Sequence, residues 1–156
     1  MTDLLARLRQ NRLHGPAAWL PTVVRVLTGL FFISTGIGKF ADHAKEVNDF
    51  RGFEVPWPEV AVPVVGTIEL VGGLLLVVGL LTRPAALVLA GNMIGALATA
   101  GRVEGGSFHL VYPPVLLVLM IFLCWAGPGR LSLDGRMAGR RADRAVAPGQ
   151  AVAPTG

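Results

Sequence analysis

Cysteine is nearly absent: the 156-residue chain holds one, Cys124. A single thiol in an apolar run excludes an intrachain disulfide and a Cys-x-x-Cys redox pair, so any thiol relay would have to borrow cysteines from a partner. Charge is scarce as well. Asp, Glu, Lys and Arg make up 15% of the chain, where soluble domains carry roughly 25%. Apolar side chains reach 53% and mean hydropathy is +0.59, which excludes disorder, collagen-like repeats and disulfide-stapled folds. Histidine is limited to His14, His43 and His109, all outside the long apolar runs, which leaves no pair to ligate a haem iron inside a membrane. Asp42, His43 and Glu46 read better as a solvated loop than as a metal site, and no metal is expected. Gly72-Gly73 lies within an apolar run without the Gly-Lys-Ser/Thr of a phosphate loop, so it is a packing notch.

What is present is a set of apolar segments separated by short polar ones, the layout of an all-α integral membrane four-helix bundle. Residues 1–21 form a basic segment in which Leu4, Leu5 and Leu8 share a helical face among Arg7, Arg9 and Arg12, suited to an anionic membrane surface. It is expected to be retained and not cleaved as a secretory signal. Residues 22–135 carry four spans at about 22–40, 60–81, 84–101 and 110–127, and residues 136–156 read as a disordered basic tail. An acidic loop with Trp57 between prolines, holding a short amphipathic helix, joins the first two spans; Thr82-Arg83-Pro84 closes a tight hairpin; Gly105-Gly106 makes the next turn. Arg7, Arg9, Arg12, Arg25, Arg83 and the tail arginines fall on one side, against Lys39, Lys45, Arg51 and Arg102 on the other. The positive-inside rule then places both termini in the cytoplasm of a multi-pass protein of the inner, cytoplasmic membrane. The formal charge of +4 is concentrated beside spans, which favours membrane lipids over nucleic acid as partner.

Glu69 is the most informative residue, because an ionised carboxylate in the middle of a span costs several kcal/mol unless it is paired, wetted or neutralised. Gly66, Glu69 and Gly73 recur at i, i+3 and i+7, so the carboxylate projects from a glycine stripe that lets another helix come close. Arg25, Gly29, Phe32, Gly36 and Lys39 make a matching face on the first span. Lys39 is at the depth to pair with Glu69, and Asn92 of the third span to hydrogen-bond it. These three residues are expected to form a buried polar site for a proton or a polar head group; Arg25 reads as a cation snorkelling to its interface. Cys124 reads as a small buried apolar residue, and Trp19, Trp57 and Trp125 as interface anchors.

The same residues carry a resemblance. Gly36-x-Gly38-Lys39-Phe40, Glu69-Leu70-Val71-Gly72-Gly73, Gly79-Leu80-Leu81-Thr82-Arg83-Pro84 and Gly127-Pro128-Gly129-Arg130-Leu131-Ser132-Leu133-Asp134 resemble the DoxX family of small four-span bacterial membrane proteins. The likeness extends from about Val23 to Asp134, and Lys39, Glu69 and Arg83 match the family's charged motif residues. It implies a membrane subunit of an oxidoreductase or redox-stress complex, with relatives that include a thiosulfate to quinone oxidoreductase subunit. Members often carry an acidic residue near the start of the fourth span, where this chain has Tyr112-Pro113-Pro114.

Two functions of different class follow. In the first, Glu69 and Lys39 are catalytic and Asn92, Arg83, Gly73 and Gly36 line a pocket for a quinone that is not covalently held, with a soluble redox partner supplying electrons. In the second, the protein is a non-catalytic scaffold or assembly factor for partner proteins. A small carrier ranks lower, because the chain has no inverted repeat and would need a homo-oligomer to form a path.

Overall fold

The computed structural model describes residues 11–13, 15–104 and 106–137, without the side chains of residues 107–109. Among these residues it is entirely helical. A short 3₁₀ turn, Gly15–Ala18, leads into α1 (Trp19–Ala41); α2 (His43–Gly52) is short and polar; α3 (Pro58–Val78), α4 (Thr82–Ala96, extended by a π-helical turn Leu97–Gly101) and α5 (Ser107–Ala126) complete the chain's long helices. Three apolar segments, Gly15–Ala41, Pro58–Val78 and Thr82–Gly101, are long and apolar enough to cross a membrane, and α5 contributes a further apolar stretch, Leu110–Ala126. The long helices run alternately up and down, so α1 packs on α3 and α4 packs on both α3 and α5. One end of the molecule carries α2, and the other carries the α3–α4 turn and both ends of the described chain.

The exterior is apolar, unlike that of a soluble bundle, and polar groups are buried beside an apolar core. Leu27, Leu30, Leu74, Leu87, Val118 and Ile121 are exposed on the outer faces, while Arg25, Thr28, Glu69, Thr82 and Asp134 are buried. An apolar exterior leaves no hydrophobic gain from helix association in lipid, so close packing and internal polar bonds must hold the helices together. Glycine supplies the close packing. A Cβ on Gly73 would stand 2.7 Å from the Gly29 carbonyl oxygen, and one on Gly36 would stand 3.0 Å from that of Gly66. The α1–α3 seam is therefore backbone against backbone, along the two glycine faces anticipated from spacing.

The boundaries differ from the sequence reading in four places. The hairpin closes at Gly79–Leu81, not at Thr82–Pro84, which form the first turn of α4. Gly79 is left-handed (φ 74°) and its N–H reaches back to the carbonyls of Leu75 and Leu76, a helix-ending arrangement that a side chain would strain. Pro84 is tolerated in a first turn because the amide it lacks would have no intrahelical partner there. Next, α5 starts at Ser107, before the expected 110, and holds Pro113 and Pro114 inside it as the expected span did. Finally, α1 starts at Trp19, before position 22, and residues 133–137 form a helical turn where a tail was expected from 136. The amphipathic pattern of residues 1–10 and the tail from 138 onward lie outside the described residues.

Candidate functional site

Glu69 stands twelve residues into α3 on its α1-facing side and is 4% exposed. Lys39, in the last turn of α1, donates from Nζ to Glu69 Oε2 at 3.0 Å. Asn92 of α4 donates from Nδ2 to Glu69 Oε1 at 3.0 Å. Both carboxylate oxygens are therefore engaged from opposite neighbours, one by a full charge and one by an amide, which is what allows an ionised group to sit in an apolar bundle. Lys39 reaches a second carboxylate, Glu46 of α2, at 4.0 Å, and the Glu46 side chain is 25% exposed. Charge thus runs from a wetted carboxylate, through an ammonium, to a buried carboxylate. Composition and spacing pointed to Lys39, Glu69 and Asn92. Glu46 was missed, since nothing in its own segment shows that α2 folds back over the end of α1.

These side chains line a cavity of about 1390 Å³ beneath α2. Its walls include Phe31, Ile68, Val88, Tyr112 and Leu116, and its α2 side includes Phe50. Phe31 and Tyr112 stack nearly parallel, 9° apart with centroids at 6.2 Å. Aromatic rings thus occupy the region where the resemblance implies an acid. Ala96, Thr99 and Ala100, on and next to the π-helical turn, also border the cavity; such turns widen a helix locally and recur at functional sites. Two ion pairs at this end hold the covering segment, Arg51 to Glu59 at 2.5 Å and Arg102 to Glu54 at 3.0 Å.

Of the other expected site residues, Gly36 and Gly73 sit in the α1–α3 seam and set its closeness without lining the cavity. Arg83 is at the opposite end, where Nη2 donates to the Trp125 carbonyl at 3.3 Å, so it is not brought to Glu69. Cys124 is half-buried, with Sγ 3.5 Å from the Arg83 carbonyl.

Arg25 requires a correction. It does not snorkel: it is 1% exposed, Nη1 donates to the Leu76 and Val77 carbonyls, and Nη2 donates to that of Leu131 at 2.5 Å. A guanidinium is well suited there, because the last carbonyls of α3 have no intrahelical donors and carry the negative end of the helix dipole. Asp134 is its counterpart on α4. Its Oδ1 and Oδ2 accept from the Leu81 and Thr82 N–H groups at 3.1 and 3.0 Å, and its own N–H donates to the Gly79 carbonyl at 2.9 Å. A buried cation and a buried anion thus finish the two helix ends that meet at one turn.

Comparison with known proteins agrees with this architecture. The DoxX family profile matches residues 20–102. An uncharacterized membrane protein of Mycobacterium tuberculosis is 36% identical over 82% of this chain and 87% of its own length. CatD of Bacillus subtilis, named a candidate oxidoreductase, is 30% identical over 72% of this chain and 82% of its own. The inner membrane protein YqjF of Escherichia coli is 32% identical over 72% and 87% respectively. No solved structure matches. Matched by the family profile over more than half its length and by a membrane-protein relative at 36% identity, the chain is a membrane protein and belongs to the DoxX family.

Proposed function

We propose that this protein is a four-span subunit of a quinone-linked redox system in the inner membrane, and that it binds the quinone ring in the cavity above Glu69. The observation that carries the proposal is the buried Lys39–Glu69–Asn92 cluster bordering an apolar cavity of about 1390 Å³. That volume exceeds the roughly 300–1,000 Å³ of common ligand pockets, enough for a flat ring and part of an isoprenoid tail.

The residues fit such a ligand. Phe31 and Tyr112 offer a stacked aromatic wall, Ile68, Val88 and Leu116 offer apolar surface, and the Lys39 ammonium has three N–H donors for carbonyl oxygen as well as carboxylate. Bound there, a quinone supplies two-electron, two-proton chemistry to electrons delivered by a soluble partner. Lys39 orients the ring carbonyl. The Lys39 ammonium, held by the ionised Glu69, gives that oxygen its proton, the second proton following by the same route, and Asn92 fixes the carboxylate's position. Glu46, wetted and 4.0 Å from Lys39, is the port through which Lys39 regains its protons from water. The oxidoreductase name of the B. subtilis relative supports the same reading. The basic residues at the far end support a cytoplasmic location for that end and for both termini.

Titration of a short-chain naphthoquinone into the protein in nanodiscs tests the proposal. Saturable binding is expected, at least about tenfold weaker in Glu69→Gln while the helical spectrum is unchanged. Folded wild-type protein that shows no saturable binding would sink it. If Glu69→Gln also leaves the cellular phenotype intact while truncation after Asp134 abolishes it, the scaffold reading takes its place.

A further inference from the structure

Two glycines of α4 depart from the pattern set by the α1–α3 seam. Glycine inside a helix weakens it, and in the seam that loss is offset by backbones packed in contact. Gly91 and Gly95 have no such packing: both are exposed, and a Cβ built on either would meet no atom within 4 Å. They lie one turn apart, and both border the cavity that holds the Lys39–Glu69–Asn92 cluster. So does Val88, which is 54% exposed.

A residue that is exposed on the outer face and also lines a cavity stands at the cavity's mouth. Across from it, the wall of α3 is formed by Val65 and Ile68, both half-buried. Nearer their shared turn the two helices touch, since a Cβ on Gly72 would stand 3.0 Å from the Leu89 side chain. At Gly91 and Gly95 no atom of α3 comes so near. On the other flank, the Phe31–Tyr112 stack bridges α1 and α5. Gly91 is also the tenth of the twenty residues from Thr82 to Gly101, so the mouth opens near the middle of the span, onto acyl chains and not onto water. Its rim of valine, isoleucine and glycine carries no polar side chain.

We infer that the ligand of the cavity is a quinone with a long isoprenoid tail, and that the tail leaves for the bilayer through the gap at Gly91 and Gly95. The inference rests on the quinone reading of the cavity. With the ring against Lys39, the tail runs between Val65 and Ile68 on one side and Val88 on the other, over the bare backbone of the two glycines. A long side chain at either glycine would stand in its way. A quinone without a tail keeps the polar contacts of the ring but forgoes the apolar contacts of the gap.

Equilibrium binding in nanodiscs of two naphthoquinones, one short-chained and one with a tail of four isoprene units, tests the inference. Ligand is expressed per mole of lipid, so that partitioning is the same for every variant. Wild-type protein should bind the tailed compound at least about tenfold more tightly. Gly91→Leu with Gly95→Leu should abolish that preference and leave the affinity for the short-chain compound within about twofold, which also reports an intact ring site. Ile94→Phe adds bulk on the same helix outside the cavity and should keep the preference. If the double variant loses its helical spectrum, Gly95→Leu alone carries the comparison and should lower the preference at least about threefold. A preference that survives in the folded variant would overturn the gap, as would equal losses for both compounds. Equal binding of the two compounds by wild-type protein would overturn the tail and leave the quinone reading standing. Wild-type protein with no saturable binding of the short-chain compound would overturn that reading and this inference together.

Discussion

At the scale of single residues, partnership outweighs identity. Glu69 is acceptable in the bundle because Lys39 and Asn92 satisfy both oxygens, and removing one partner leaves an uncompensated buried charge. Lys39→Met should therefore lower stability by about 3–5 kcal/mol, read from the unfolding midpoint in detergent, whereas Lys39→Met with Glu69→Leu should recover most of that loss. Additive losses in the double variant would show that the pair is not coupled. Asp134 makes a similar case at a helix end. Asp134→Ala deprives Leu81 and Thr82 of their acceptor and should cost about 1–2 kcal/mol, with Asp134→Asn falling between because one carbonyl oxygen remains.

At the scale of elements, glycine positions divide sharply by what surrounds them. Gly73→Ala forces a Cβ to 2.7 Å from the Gly29 carbonyl and should destabilise by about 1–3 kcal/mol, because two backbones would have to part. Gly91→Ala, with open space around it in the same bundle, should be neutral or stabilise by up to about 1 kcal/mol. Thermal midpoints of the two variants, measured side by side, decide whether the seam is as close as the structure places it. On the polar helix α2, Lys45 is exposed and its ammonium is held above the usual lysine pKa, first by a hydrogen bond to Asp49. The stabilisation from such a raised group is present at neutral pH and is lost only as pH climbs past the raised value. The stability of α2 should accordingly not change between pH 6 and 9 on account of this pair.

The seam and the cluster were legible in the sequence because helical spacing of three and four residues puts glycine, glutamate and lysine on facing stripes. Glu46, Arg25 and Asp134 were not. Their partners are backbone carbonyls, amides or a side chain brought together by tertiary folding. For Arg25 the contacts span 51 to 106 positions, and no periodicity marks such a pairing. The turn at Gly79–Leu81 was misplaced by a few residues for a related reason. Proline at 84 looks like a breaker until the cap supplied from position 134 is known.

At the scale of the whole molecule, charge is split along the long axis, with acids and the cavity at one end and arginines at the other. By the positive-inside rule, the proposed orientation puts the arginine end in the cytoplasm. With Cys124 replaced by serine, a cysteine at Asn48 should react with an impermeant maleimide added to intact cells, and one at Met137 only after the membrane is opened. The reverse pattern would invert the proposed orientation and put Glu46 on the cytoplasmic side.

The dependence of the α3–α4 turn on Asp134 also has a bearing on biogenesis. The amide of Leu81 waits for a carboxylate made 53 residues later, a delay of roughly 3–10 s at ordinary translation rates. During that interval the central hairpin can enter the bilayer but lacks its fastening, so a nascent chain stalled before position 134 should stay sensitive to membrane proteases that the finished protein resists.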